Sequence, residues 1–282
     1  MRLVAPTDRS ILFLVQDLIA RDVPVEVPAG HELLNFSATG DWKGRLAALD
    51  RHVAAASPLH PQGARRFMAF VSLDVARHIR RHCQELATGL WLPEEQLRYH
   101  AIAGAVPEEV LLNRSYILLP LGALAARTGQ LRSLFGDRLF IRPDSPMKPF
   151  AGTPVATADL ASEISALRQI HALQDDLLVM VDRAQDIDDR EFRFWLADGE
   201  IVTQASYSLM ALPPTEPPGA IHELAARVAG ITCDWTGPVV ADFALDSAGL
   251  PRLVEMNAVS TSGFYPGMDA AALFAMIDRQ LL

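Results

Sequence analysis

Residues 237–265 read GPVVADFALDSAGLPRLVEMNAVSTSGFY, and the reading of this stretch decides the fold. Residues 239–245 are apolar apart from Asp242, residues 246–249 (Asp-Ser-Ala-Gly) are turn chemistry, and residues 250–256 are again apolar apart from their charges. The pattern predicts strand, tight turn, strand and loop. A symmetric four-residue reversal puts Asp242 opposite Leu253, with Glu255 and Asn257 on the same face by the period-two rule. Diagonal neighbours on such a face lie ~7–8 Å apart, close enough for two carboxylates to reach one cation. Two carboxylates and an amide, with room for water and phosphate, suit magnesium, which seldom takes a full protein cage. A register slip of one residue would turn Asp242 to the other face and remove the site. The plainer reading is a hairpin with polar residues on its solvent side, but two carboxylates and an amide among Val, Leu, Phe and Met sit poorly with it.

Working outward, four prolines fall in residues 143–154 of LFIRPDSPMKPFAGTPV (residues 139–155), so a buried strand at 139–141 must lead into an irregular stiff loop. That loop carries Arg142 and Lys148. Of 25 basic residues only Lys43 and Lys148 are lysine, which favours phosphate contact over a solvated surface connection. Residues 157–172 read as an amphipathic helix capped by Thr157 or Asp159, and residues 177–181 as a buried strand. EFRFWLADGEIVTQASY, residues 191–207, is a hairpin with Asp198-Gly199 as a type I′ turn. Arg193 shares a face with Glu191, which admits a structural ion pair. A proline-rich loop at 213–219, a helix over about 220–230 and a closing helix behind an Asp269 cap complete this half.

The first hundred residues are less legible. A strand at 2–5, a helix capped by Thr7 or Asp8 and running to about Ala20, and a strand at 23–27 give a β-α-β opening without a glycine-rich phosphate fingerprint. A strand at 67–71 precedes a helix over about 72–87. His78 and His82 on it have the spacing of a zinc chelate, but Arg77, Arg80 and Arg81 around them favour a plain basic face. Residues 91–105 look like a linker with a short helix, and a helix or two follow between 118 and 135.

Length and charge bound the function. The 282 residues suffice for two domains, and the net charge of −9 argues against nucleic acid or an anionic membrane as partner. Residues 141–282 hold 20 acidic and 9 basic side chains, against 14 and 16 in residues 1–140, so the acidity gathers where the cation site is expected. Cys83 and Cys233 match no CxxC spacing, residues 1–10 lack a signal peptide's layout, and the longest apolar run, 116–126, is too short for a bilayer. A soluble cytoplasmic protein is expected.

FIRPDSPMKPFAG (140–152), EFRFWLADGEIVTQASY (191–207) and DFALDSAGLPRLVEMN…SGFY (242–265) together resemble an ATP-grasp domain, specifically its R2K clade, over residues 112–275. The resemblance implies an α+β fold in which two layers clamp ATP, here an ATP-grasp domain at 106–282 behind a small α/β domain at 1–105. It implies that Arg142 and Lys148 contact the phosphates, Arg193 stabilises the transferring phosphoryl group, and Asp242, Glu255 and Asn257 bind magnesium. Met180 and Val181 would form the adenine hinge. Arg142 stands where a strand-end lysine is usual in such enzymes. Residues Ser262, Gly263 and Tyr265 would face the acceptor, a small molecule or peptide. The implied reaction is ATP-dependent joining of a carboxylate to an amine or other nucleophile through an acyl phosphate. A phosphotransferase, or a nucleotide-responsive binding protein, are the alternatives.

Overall fold

The computed structural model describes residues 11–20, 23, 25–56, 67–208 and 212–281. The expected strand at 2–5 and the Thr7/Asp8 cap lie outside them. Residues Leu12–Gln16 form strand β1, not the expected helix, and a four-residue helix α1 (Asp17–Ala20) follows. A short apolar run has no period that separates a buried strand from a buried helix. Here Phe13, Leu14 and Val15 are all inaccessible, as both faces of a central parallel strand must be. Leu18, on the expected helical stripe, is exposed.

The second strand is also displaced. β2 is Glu32–Phe36, while Val23, Val25 and Val27 pack as non-strand chain against the core. Helix α2 (Trp42–Ala56), strand β3 (Phe67–Phe70), helix α3 (Leu73–His82), helix α4 (Gln84–Ala87) and helix α5 (Tyr99–Ala105) follow. The parallel sheet has the order β2-β1-β3.

The next sheet begins with β4 (Ile117–Pro120), where helix was expected, then α6 (Leu121–Leu124) and α7 (Thr128–Phe135). The strands β5 (Arg138–Pro143) and β6 (Thr153–Ala156), helix α8 (Leu160–His171) and strand β7 (Leu178–Arg183) complete it in the antiparallel order β4-β7-β5-β6. Leu121, Leu131, Leu160, Ile164 and Val181 are among its core residues.

The last sheet is built from β8 (Arg190–Ala197), β9 (Glu200–Ser208), β10 (Val239–Leu245) and β11 (Pro251–Ala258), in the antiparallel order β11-β10-β8-β9. Helix α9 (Gly219–Thr236), longer than expected, covers one face of this sheet, and helix α10 (Ala270–Leu281) packs on the other. Asp198 and Gly199 have φ of 54° and 79°, the two positive values a type I′ turn requires. Asp269 accepts a hydrogen bond from the Ala272 amide at 2.9 Å, as expected of the α10 cap.

The N-terminal sheet does not stand apart. Phe13, Phe70, Trp195, Phe264 and Phe274 share one core, with Phe70 and Phe264 rings 5.1 Å apart. Leu97 and Ile102 pack with Phe192 and Phe194, so the chain from about residue 97 already belongs to the core of the C-terminal half. No helix of the described residues is long and apolar enough to cross a membrane.

Candidate active site

The register of β10 against β11 makes the acidic face, by a route the sequence does not show. The turn closes with Leu245 opposite Pro251, one residue away from the symmetric expectation. Asp246 causes this: its side chain accepts the Ala248 and Leu250 amides at 2.9 Å each, and its own amide donates to the Leu250 carbonyl. Continued without a break, that register would set Asp242 opposite Val254. A β-bulge between Asp242 and Phe243 leaves Val254 unpaired and shifts the register by one more residue, so Asp242 lies directly opposite Glu255 and not opposite Leu253.

The three expected magnesium ligands therefore meet. The Asn257 amide group donates to Asp242 Oδ2 and to Glu255 Oε1, both at 2.9 Å. Asp242 is inaccessible to solvent. Burial pushes its carboxyl upward, opposed by the Arg193 charge and hydrogen bonds. Arg193, directly across on β8, meets it in a fork: Nε to Oδ1 and Nη2 to Oδ2, each 2.7 Å. The third nitrogen donates to the Tyr265 hydroxyl at 3.1 Å, and the guanidinium lies about 5 Å from the Tyr207 and Tyr265 ring centroids. Arg193 thus pairs with Asp242 rather than Glu191. Glu191 instead accepts the Tyr207 hydroxyl at 2.8 Å. Burial, then the charge of Asp242, pushes its carboxyl up to about 7.

The cationic half comes from β5 and its loop. Arg142, 7% exposed, sits 5.2 Å from the centre of the Tyr99 ring and 3.6 Å from Glu255 Oε2. Lys148 donates to Glu255 Oε1 at 2.7 Å. Burial pushes the Glu255 carboxyl up. The Lys148 and Arg142 charges and the bonds from Lys148 and Asn257 outweigh it, holding the group well below the usual carboxylate range. The loop returns to β6 past Gly152, where an added Cβ would stand 2.6 Å from Phe140 Cζ.

Arg142, Lys148 and Glu255 line a cavity of about 420 Å³ between the two antiparallel sheets. Its wall includes Gln185 and Ile187 from the β7–β8 linker, Glu191 and Tyr207. Arg193, Asp242 and Asn257 are not among the lining residues, and Asn257 joins them to Glu255 by its hydrogen bond. Met180 and Val181 do not offer the expected strand edge. β7 is an interior strand at these positions, with Met180 between Leu118 and Arg142 and Val181 between Ile117 and Ile141. Both backbone edges are already engaged there.

Among the described residues, no group of three or more His, Cys, Asp or Glu could hold an ion by itself. Asp242 and Glu255 bring carboxylate oxygens side by side, but Asn257 presents its nitrogen to both and Arg193 holds both Asp242 oxygens. An ion that completes its shell with phosphate and water fits this set once the Asn257 amide turns its oxygen inward and the Arg193 fork loosens. His78 and His82 have rings 4.7 Å apart beside Trp42, and no third ligand joins them among the described residues.

Sequence reasoning missed the residues that hold this site from outside. Tyr99 packs on Arg142 and donates to the Asn113 carbonyl. Asp144, 1% exposed, accepts the His100 amide at 2.9 Å, and its Oδ2 lies 2.7 Å from His100 Nδ1. Only the Asp within the Arg-Pro-Asp run carried any local signal.

No curated protein matches significantly. The solved structure of D-cycloserine synthetase DcsG is similar at TM-score 0.54 and 16% identity, over 96% of this chain and 100% of that one. D-alanyl-alanine synthetase A from Vibrio cholerae is similar at TM-score 0.54 and 11% identity, over 98% and 99%. The ATP-grasp ligase PsnB, complexed with precursor peptide PsnA2 and AMPPNP, is similar at TM-score 0.50 and 11% identity, over 100% and 99%. At these identities the likeness establishes the fold: an α+β ATP-grasp architecture. A family model for the ATP-grasp domain, R2K clade family 3, matches residues 100–277, and on the strength of that match this chain belongs to the R2K clade of ATP-grasp proteins.

Proposed function

We propose that the protein is a magnesium- and ATP-dependent ligase that joins a carboxylate to an amine or other nucleophile through an acyl phosphate. The observation that carries this reading is the convergence of Arg142, Lys148 and Glu255 on one cavity between the two sheets. In this reading Arg142 and Lys148 leave Glu255 to hold the triphosphate, and Asp242, Glu255 and Asn257 bind magnesium. The ion, when bound, neutralises phosphate charge. Positioning and charge neutralisation are what phosphoryl transfer asks of a protein.

Two roles differ from the expectation. The purine edge is better served by the β7–β8 linker, where Gln185 and Ile187 line the cavity, than by Met180 and Val181. Arg193, fully engaged by Asp242 and Tyr265, acts first by orienting Asp242, and reaches a phosphoryl group only if that fork opens. A small-molecule or peptide acceptor accords with the enzymes that share the fold.

The test is binding of a magnesium–ATP analogue by calorimetry, followed by product analysis across candidate carboxylates. Lys148→Ala and Glu255→Gln should each lower turnover by ~10²–10³-fold or more, the scale of removing one preorganised group from a transition state. Full ATP turnover by Glu255→Gln would remove it from the metal site. A stable phosphorylated product, in place of an amide or ester, would make the enzyme a phosphotransferase.

A further inference from the structure

The proposed phosphate loop is pinned from outside the two sheets that form the cavity. Residues 144–148 turn on themselves, with the Lys148 amide donating to the Ser145 carbonyl at 3.1 Å and the Met147 amide to Ser145 Oγ at 3.2 Å. Lys148 has φ of 42°, a left-handed conformation that side-chain-bearing residues adopt only when their surroundings impose it. His100 secures the start of the turn through Asp144. Its end is held by Arg77, whose Nη2 donates to the carbonyls of Met147 and Lys148.

Arg77 lies on α3, far from the loop in sequence and outside the residues that the family match covers. Its helix is itself fixed. Val75, Ala76 and Ile79 are buried, and the Ser72 amide donates to Gln16 Oε1 at 2.8 Å. The preceding Val71 amide donates to the Ser260 carbonyl at 2.9 Å, tying this segment to the chain just beyond Asn257. The remaining contact of Arg77, with Asp74 at 2.5 Å, is an exposed i,i+3 pair that contributes little by itself.

We propose that Arg77 is a positioning residue for Lys148: its guanidinium, brought from the N-terminal region, sets the backbone of the proposed phosphate loop so that the lysine amine points into the cavity. This rests on the reading of Lys148 as a phosphate contact. Without Arg77, two adjacent carbonyls lose their donor, and the left-handed turn loses the contact that opposes its relaxation.

The experiment titrates AMPPNP with magnesium into the full chain by calorimetry, for wild type, Arg77→Ala, Arg77→Lys, Lys148→Ala and the Arg77→Ala/Lys148→Ala double variant, with thermal unfolding of each. Arg77→Ala should weaken binding about tenfold, the loss expected for donors held by a charged group. Arg77→Lys, which keeps the charge but not the guanidinium's placement of Nη2 between the two carbonyls, should recover part of it. In the Lys148→Ala background, Arg77→Ala should cost less than about twofold, since coupled residues are not additive. An equal loss in both backgrounds, or none in wild type, overturns the proposal. If Arg77→Ala does not fold, Arg77→Lys carries the same comparison, alone and with Lys148→Ala. If Lys148→Ala alone binds as wild type does, the phosphate reading itself fails, and the positioning role falls with it.

Discussion

Replacing Arg193 with Met would leave Asp242 buried with its fork of donors gone. Met keeps much of the volume, so packing loss is small and the effect is mostly electrostatic. Asp242 is inaccessible, and both its oxygens accept from Arg193 at 2.7 Å. After the substitution, among the described residues only the Asn257 amide still donates to it. Removing one partner of a buried ion pair costs ~3–5 kcal/mol. An independent bound comes from protonation, because a stranded carboxylate takes up a proton instead of staying charged. From an ordinary value of 3.8, protonation at pH ~7 costs about 4 kcal/mol, at ~1.36 kcal/mol per unit. The two figures agree, so ~3–4 kcal/mol is expected near neutrality.

The bound also fixes the pH dependence. In the variant, the folded state holds a proton on Asp242 that the unfolded state releases above pH ~4. The destabilisation must then shrink as pH falls, by up to ~1.4 kcal/mol per unit. Urea denaturation at several pH values between about 7 and 5 measures it. A second change, Asp242→Asn in the Arg193→Met background, should recover most of the loss by removing the charge. A cost under about 1 kcal/mol, or one that does not vary with pH, would refute the buried-pair account.

Two other changes follow from the same site. Glu191 has its carboxyl raised to about 7 from 4.5, so the folded state binds the proton more tightly than the unfolded state does. Its contribution is intact below the unfolded value and is lost as pH rises through the folded one. Glu191→Gln, which can still accept from Tyr207, should therefore be more stable than wild type above pH ~7, by roughly 1–2 kcal/mol, with the gain vanishing near pH ~4.5 in denaturant titrations. Gly152→Ala places a methyl 2.6 Å from Phe140 Cζ. The ring must shift, at ~1–2 kcal/mol by thermal unfolding, and nucleotide binding should weaken because Phe140 lines the cavity.

Strong local chemistry was readable and tertiary pairing was not. Asp198-Gly199 announces its turn because few residue pairs accept two positive φ values, and the prolines after Arg142 leave no regular structure open. The run from Ile11 to Gln16 misled because five or six apolar residues fit a helix stripe as well as a buried strand. The β4 strand was hidden for the same reason, followed as it is at once by α6.

Within the site, sequence alone named the acidic hairpin, the Arg142/Lys148 loop and the family, since each is carried by residue types at short fixed spacing. The tertiary structure decided how they meet. Asp242 faces Glu255 only because a bulge at Val254 adds a second one-residue shift to the one imposed by Asp246, and two shifts together keep both carboxylates on one face. Arg193 pairs with Asp242 because the sheet places β8 beside β10, 49 residues away in the chain. Arg77 reaches Lys148 because the N-terminal sheet shares a core with the C-terminal one. Backbone preferences act over a few residues, whereas strand order and register are settled by which faces can be buried together, and that is a property of the whole chain.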